Sequence, residues 1–123
     1  MYSHLKMNKT CSITPFATSV KYTCTLKTES GEYVGSFQIS DYMDIPSMNI
    51  DIEDEYQGKG YTRLMMQSVV GILPNWSSRK LLYIDADASS GFWKHIGMKE
   101  NTNGNGYELV LSVRNLKRFI NKV

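Results

Sequence analysis

Residues 51–73 read Asp-Ile-Glu-Asp-Glu-Tyr-Gln-Gly-Lys-Gly-Tyr-Thr-Arg-Leu-Met-Met-Gln-Ser-Val-Val-Gly-Ile-Leu. A strand closes in an acidic turn, passes through Gln57-Gly58-Lys59-Gly60-Tyr61-Thr62 and becomes an amphipathic helix. The first turn of a helix has unsatisfied backbone N–H groups and the positive end of the macrodipole, so it attracts an anion. Gly58 and Gly60 leave room for close approach and tolerate positive φ. A diphosphate is the natural guest. A Walker-type loop is excluded by spacing: it needs Gly, four residues, then Gly-Lys-Ser/Thr, and the residue five before Gly58 is Glu53. A dinucleotide fingerprint is excluded because position 63, three past Gly60, is Arg63 and not a third glycine.

Apolar spacing extends the pattern in both directions. Tyr61, Leu64, Met65, Val69, Ile72 and Leu73 form one helical stripe that Pro74 ends. Upstream, Val20, Tyr22, Cys24 and Leu26 alternate with polar residues as a strand. Thr28–Glu32 turns, and Tyr33–Ser40 returns with Gly35, Phe37 and Ile39 on one face. Pro46 introduces a third strand, with Met48, Ile50 and Ile52 on one face and Asn49, Asp51 and Glu53 on the other. Downstream, Leu81–Ile84 reads as a central strand, and strand, helix and strand in this order imply parallel pairing. Asp87 or Ser89 can cap a short helix through Phe92, Trp93 and Ile96, closed by Gly97. Asn103–Gly106 turns into a last strand over Tyr107–Val113. The tail puts Leu116, Phe119, Ile120 and Val123 on one stripe with basic residues elsewhere, a packed terminal helix that covers a sheet edge or makes a dimer contact. Residues 1–19 are poorly patterned and hold a short strand or a turn.

Composition bounds the rest. The 123 residues make one domain, and 41% hydrophobic and 21% charged residues are ordinary for a soluble globular protein. The net charge of +2 does not argue for nucleic acid. No secretory or membrane-spanning segment is legible, and Cys11 and Cys24 do not make a disulfide scaffold, so a reducing cytoplasmic setting is expected.

Two blocks resemble the GNAT N-acetyltransferase superfamily. In its diphosphate motif Arg or Gln is followed by two residues, Gly, one residue, then Gly or Ala. Gln57 and Gly60 match, and Thr62 stands at the small position. The second block, Asp85–Met98, has the family's aromatic pair and basic residue in Phe92-Trp93-Lys94 and its ending in Gly97-Met98, with Met for the usual Phe. The resemblance covers about residues 20–113. It implies an α/β fold: a mixed, mostly antiparallel twisted sheet split by a V-shaped cleft, flanked by two main helices. The family's first strand and two acceptor-side helices have no clear counterpart, so the N-terminus is abbreviated.

The resemblance also implies function: acetyl transfer from acetyl-CoA to an amine on a small molecule, peptide or protein, by direct attack in a ternary complex. A CoA-binding or protein-interaction module without catalysis is the alternative. No metal, nucleic acid or membrane partner is expected, and a homodimer is possible. Cofactor contacts are expected from Ile50, Asp51 and Ile52 on the strand, from Gln57, Gly58, Lys59, Gly60, Tyr61 and Thr62 in the turn, and from Asp87 and Trp93 in the second block. A backbone N–H near Ile52 would polarise the thioester carbonyl. Lys59 either meets the diphosphate or extends into solvent. Asp51 is the candidate general base, against the plainer reading of a solvated acidic turn. His95 could act as acid or base, or be an incidental surface histidine. Trp93 occupies a position where many family members have a tyrosine that protonates the leaving thiolate; indole cannot do so, and its expected role is packing against cofactor or core. Tyr83 and Tyr107 could supply a phenol instead.

Overall fold

The computed structural model describes residues 7–84 and 90–121. Seven strands form one sheet in the order β1-β2-β3-β4-β5-β7-β6. They are β1 (Met7–Pro15), β2 (Ser19–Thr28), β3 (Tyr33–Tyr42), β4 (Ile45–Ile52), β5 (Leu81–Ile84), β6 (Lys99–Glu100) and β7 (Leu109–Ser112). The helices are α1 (Tyr61–Ile72), α2 (Ser90–His95) and α3 (Val113–Ile120), with a 3-10 turn at Asp54–Tyr56. All pairings are antiparallel except β4 with β5. No helix among the described residues is long and apolar enough to cross a membrane.

Alternation forms β2 to β4 as expected. Tyr22, Cys24 and Leu26 of β2, Phe37 and Ile39 of β3 and Met48 of β4 are buried on one face, and α1 packs against it. The opposite parity, including Thr23, Gln38 and Asn49, stays polar, as suits an antiparallel sheet that faces water on one side. At Gly35 the backbones of β3 and β4 come so close that an added Cβ would lie 2.6 Å from the Asp51 carbonyl oxygen. Only glycine fits there without a shift.

The sheet is discontinuous at its centre. β4 and β5 share the register pair Ser47↔Tyr83, and among the described residues Ile50–Ile52 of β4 have no partner on that side. That stretch corresponds to the expected cleft, while α1 packs over β2 and β3.

Three features differ from the sequence reading. Residues 7–15, read as poorly patterned with a short strand or a turn, are a strand of 9 residues paired with β2 from Met7↔Thr28 to Pro15↔Val20. It is exposed almost throughout, so no burial pattern marks it. Phe16–Thr18 alone connect β1 to β2, so no helix stands between them. The tail packs as the expected terminal helix, α3, against α1, where Gln67 Nε2 donates to the Ile120 carbonyl at 2.9 Å. On α1 the buried residues are Met65, Met66 and Val69, while Leu64 is exposed; with α3 on one side and the sheet on the other, the buried arc rotates toward Met66. A short β6 beside β7 was not anticipated. The proposed caps Asp87 and Ser89 lie outside the described residues.

Candidate active-site cleft

β4 ends in an acidic segment that folds on itself. Tyr56 N–H donates to Glu53 O and Gln57 N–H to Asp54 O. The Gln57 side chain ties this turn to the strand, its Nε2 donating to Ile52 O and to Asp54 Oδ1, both at 3.2 Å. The chain then enters α1 through Gly60, whose φ of 86° is left-handed, a conformation that disfavours side chains. No side chain caps the helix, and its first turn has no acidic residue. The donors that a capping Ser or Asp would consume therefore remain available, and a Cβ at Gly58 or Gly60 would meet nothing within 4 Å.

These elements bound a cavity of about 850 Å³, within the ~300–1,000 Å³ typical of small-molecule sites. Ile50, Asp51 and Ile52 form its strand wall, and Gln57, Gly58, Gly60 and Thr62 its turn. Arg63 and Phe119 contribute from α1 and α3, and Phe92 and His95 from α2. The cavity thus joins an edge of β4 that is unpaired among the described residues to an uncapped helix start.

Asp51 is exposed and accepts a hydrogen bond from the Tyr33 hydroxyl, Oη to Oδ2 2.8 Å, with Ser36 Oγ 3.1 Å from the same hydroxyl. Burial raises the Tyr33 pKa; the Ser36 contact opposes the shift, and the Asp51 hydrogen bond and charge add to it. Tyr33 therefore acts as a neutral donor that fixes one carboxylate oxygen of Asp51 at the cleft wall.

Other expected residues are placed differently. Lys59 and Tyr61 flank the turn without lining the cavity: Lys59 Nζ lies 6.0 Å from the Tyr56 ring centroid, and Tyr61 meets Tyr56 edge to face at 6.2 Å. Trp93 is 2% exposed, within the hydrophobic core, in edge-to-face contact with Phe92 at 5.2 Å. The neighbouring Phe92 reaches the cavity in its stead. Tyr83 accepts from Asn103 Nδ2 at 3.0 Å and stacks against Tyr107 at 5.6 Å, and neither lines the cavity. Asp87 lies outside the described residues. Among the described residues no group of three or more His, Cys, Asp or Glu could hold a metal ion.

Sequence reading passed over Arg63 and Phe119. A signal for Arg63 was present, since a cation in the first turn of a helix opposes the macrodipole unless an anion shares the site. Phe119 had none, because only tertiary packing brings α3 to the cleft.

No family model and no curated protein matches the sequence. Solved structures do match. The KacTA–DNA complex aligns with TM-score 0.53 at 11% identity, over 85% of this chain and 74% of that one. A mutant AtaT toxin bound to the C-terminus of its antitoxin AtaR aligns with TM-score 0.54 at 14% identity, over 84% and 73%. At these identities the likeness establishes the fold alone: the chain has the GNAT fold. One neighbour is held in a DNA complex and the other by an antitoxin segment, so the likeness lends nothing to the expectation that nucleic acid is excluded as a partner.

Proposed function

We propose that this chain is an N-acetyltransferase that moves acetyl from acetyl-CoA to an amine. The observation that carries this reading is the cavity itself, where a strand edge without a partner among the described residues runs into an uncapped helix start behind a left-handed glycine. An amide-containing arm ending in a diphosphate complements both halves. The pantetheine amides pair with the free edge of β4 as an added strand would, and the diphosphate takes the N–H groups of the 57–62 turn.

Bound acetyl-CoA supplies the acetyl group as a thioester beside Ile50–Ile52. A backbone N–H of β4 near Ile52 polarises its carbonyl. Asp51, oriented by Tyr33, takes a proton from the acceptor ammonium directly or through water. The amine nitrogen then bonds to the carbonyl carbon as the carbon–sulfur bond breaks, and the proton that the new amide nitrogen sheds passes, directly or through water, to the departing thiolate. The thiolate resembles a free cysteine, with a pKa of ~8.5, so it leaves tolerably without a dedicated acid. His95, on the cavity wall, is the weaker candidate for an acid or base in this reading.

Titration calorimetry with acetyl-CoA, followed by thiol release over a panel of amines, tests this function. Gly60→Asn is the informative variant, because asparagine tolerates a left-handed backbone while its side chain enters the open space. Folded Gly60→Asn should bind acetyl-CoA at least ~10-fold more weakly, ~1.4 kcal/mol. Unchanged affinity would remove the turn from the site. Binding without thiol release on any amine would identify a CoA-binding module, the alternative suggested by a buried indole at the family's tyrosine position.

A further inference from the structure

Arg63 is the only lysine or arginine that lines the cavity among the described residues. Three structural facts set it apart from a solvated surface cation. Its guanidinium carbon lies 4.8 Å from the centre of the Phe119 ring, so α3 supplies a seat on which the planar group rests. Its Nε is buried and has no hydrogen-bond partner. It stands in the first turn of α1, which has no acidic residue to balance it and whose macrodipole opposes a positive charge there. The unpartnered Nε and the opposed macrodipole each cost free energy, and an anion between the guanidinium and the helix start offsets both.

The seat itself is fixed. Gln67, one helical turn beyond Arg63, holds the α3 backbone at Ile120 beside Phe119. Leu116 and Ile120 bury the rest of that helix face.

We infer that Arg63, seated on Phe119, binds the phosphate monoester on the ribose of coenzyme A and makes the protein selective for the 3′-phosphorylated cosubstrate. This assignment rests on the coenzyme role proposed for the cavity. Coenzyme A carries two kinds of phosphate. Its diphosphate is a diester with one charge per phosphorus, which neutral backbone donors of the glycine turn suit. The ribose phosphate is a monoester with a second pKa near ~6, hence nearly dianionic at neutral pH. A fixed planar guanidinium matches the monoester in charge and in the spacing of two parallel N–H···O bonds. Arg63 follows the turn and leans on Phe119 of α3, leaving the backbone donors of the glycines to the diphosphate.

The test compares coenzyme A with dephospho-coenzyme A, which lacks only that phosphate, by titration calorimetry on the wild-type chain and on Arg63→Gln, Arg63→Lys and Phe119→Leu. The wild type should prefer coenzyme A by ~10- to 100-fold, the range for a charge-assisted hydrogen-bonded pair, and the preference should shrink as salt rises. Arg63→Gln should abolish the preference by weakening coenzyme A alone, Arg63→Lys should keep part of it, and Phe119→Leu should reduce it. A thermal melt on each variant checks that the fold persists. If a variant does not fold, the wild-type preference and its salt dependence still decide. Equal wild-type affinity for the two ligands overturns the assignment and leaves the coenzyme site standing. An equal loss for both ligands in Arg63→Gln overturns it too, by moving Arg63 to the diphosphate. Binding of neither ligand overturns the site and the assignment together.

Discussion

Strands β1 to β4 are laced to one another from end to end by antiparallel ladders, whereas among the described residues β5, β7 and β6 join them through one parallel pair, Ser47↔Tyr83. Backbone hydrogen bonds therefore hold the first half, and side-chain packing beneath α1, α2 and α3 holds the second half against it. The cavity lies where the two modes meet. A sheet paired throughout would have no free backbone at its centre for a ligand to use, and two unconnected sheets would not hold the strand edge against the helix start. A single point of register supplies both.

The severest way to break this contrast is to remove packing from the second half. Trp93 is the largest fully buried side chain there, and Trp93→Ala should cost ~3–5 kcal/mol as a large-to-small core change. Urea denaturation measures this; a loss below 1 kcal/mol would mean that side-chain packing is not what holds the half. Next comes Gly35→Ala in the first half. Its Cβ would meet the Asp51 carbonyl at 2.6 Å, and because that atom is backbone the strands must part. We expect a loss of ~1–3 kcal/mol together with weaker acetyl-CoA binding, since β4 is the cavity wall. Gly71→Ala, in the interior of α1 with nothing within 4 Å of the new Cβ, is the control and should be neutral or stabilising by up to ~1 kcal/mol. Equal effects at the two glycines would refute the tight β3–β4 contact.

The mildest change is Tyr33→Phe, which frees Asp51. Losing one exposed hydrogen bond should cost at most ~1 kcal/mol. Its pH dependence is more diagnostic. Folding raises the Tyr33 pKa, so the unfolded chain releases that proton first. The resulting stabilisation is complete below the unfolded value of ~10 and is lost as pH climbs past it toward the folded one. Stability of the wild type should thus fall more steeply above pH 10 than that of Tyr33→Phe. Parallel curves would mean that folding does not raise the Tyr33 pKa in solution.

Legibility in the sequence followed the same division. β2, β3 and β4 were readable because one face of each is buried and the other is wet, so burial writes a period of two into the residue choice. β1 has a partner yet no buried face, and a strand held by backbone alone leaves no such trace: Thr10, Ser12 and Thr14 could not be told apart as strand or turn. The glycine turn was legible because left-handed backbone and an uncapped helix both demand particular residues. Met66 and Leu64 were exchanged because the stripe was drawn for one packing partner, while α1 has two. Arg63 and Phe119 meet only after α3 docks, and spacing within either helix cannot reveal a contact between them.

The two tryptophans report on the two halves through different surroundings. Trp76 lies half-buried in the connection from α1 to β5, edge to face with Tyr22 of β2 at 5.8 Å and with Lys80 Nζ 4.5 Å above its ring. Trp93 is enclosed among apolar side chains on the far side of the seam. An indole beside an ammonium group and partial solvent emits at longer wavelength than one in a dry core. The intrinsic fluorescence therefore sums two overlapping contributions, and Trp76→Phe would isolate the one from the second half. Coenzyme titrations followed in that emission would register movement at the seam without any attached dye.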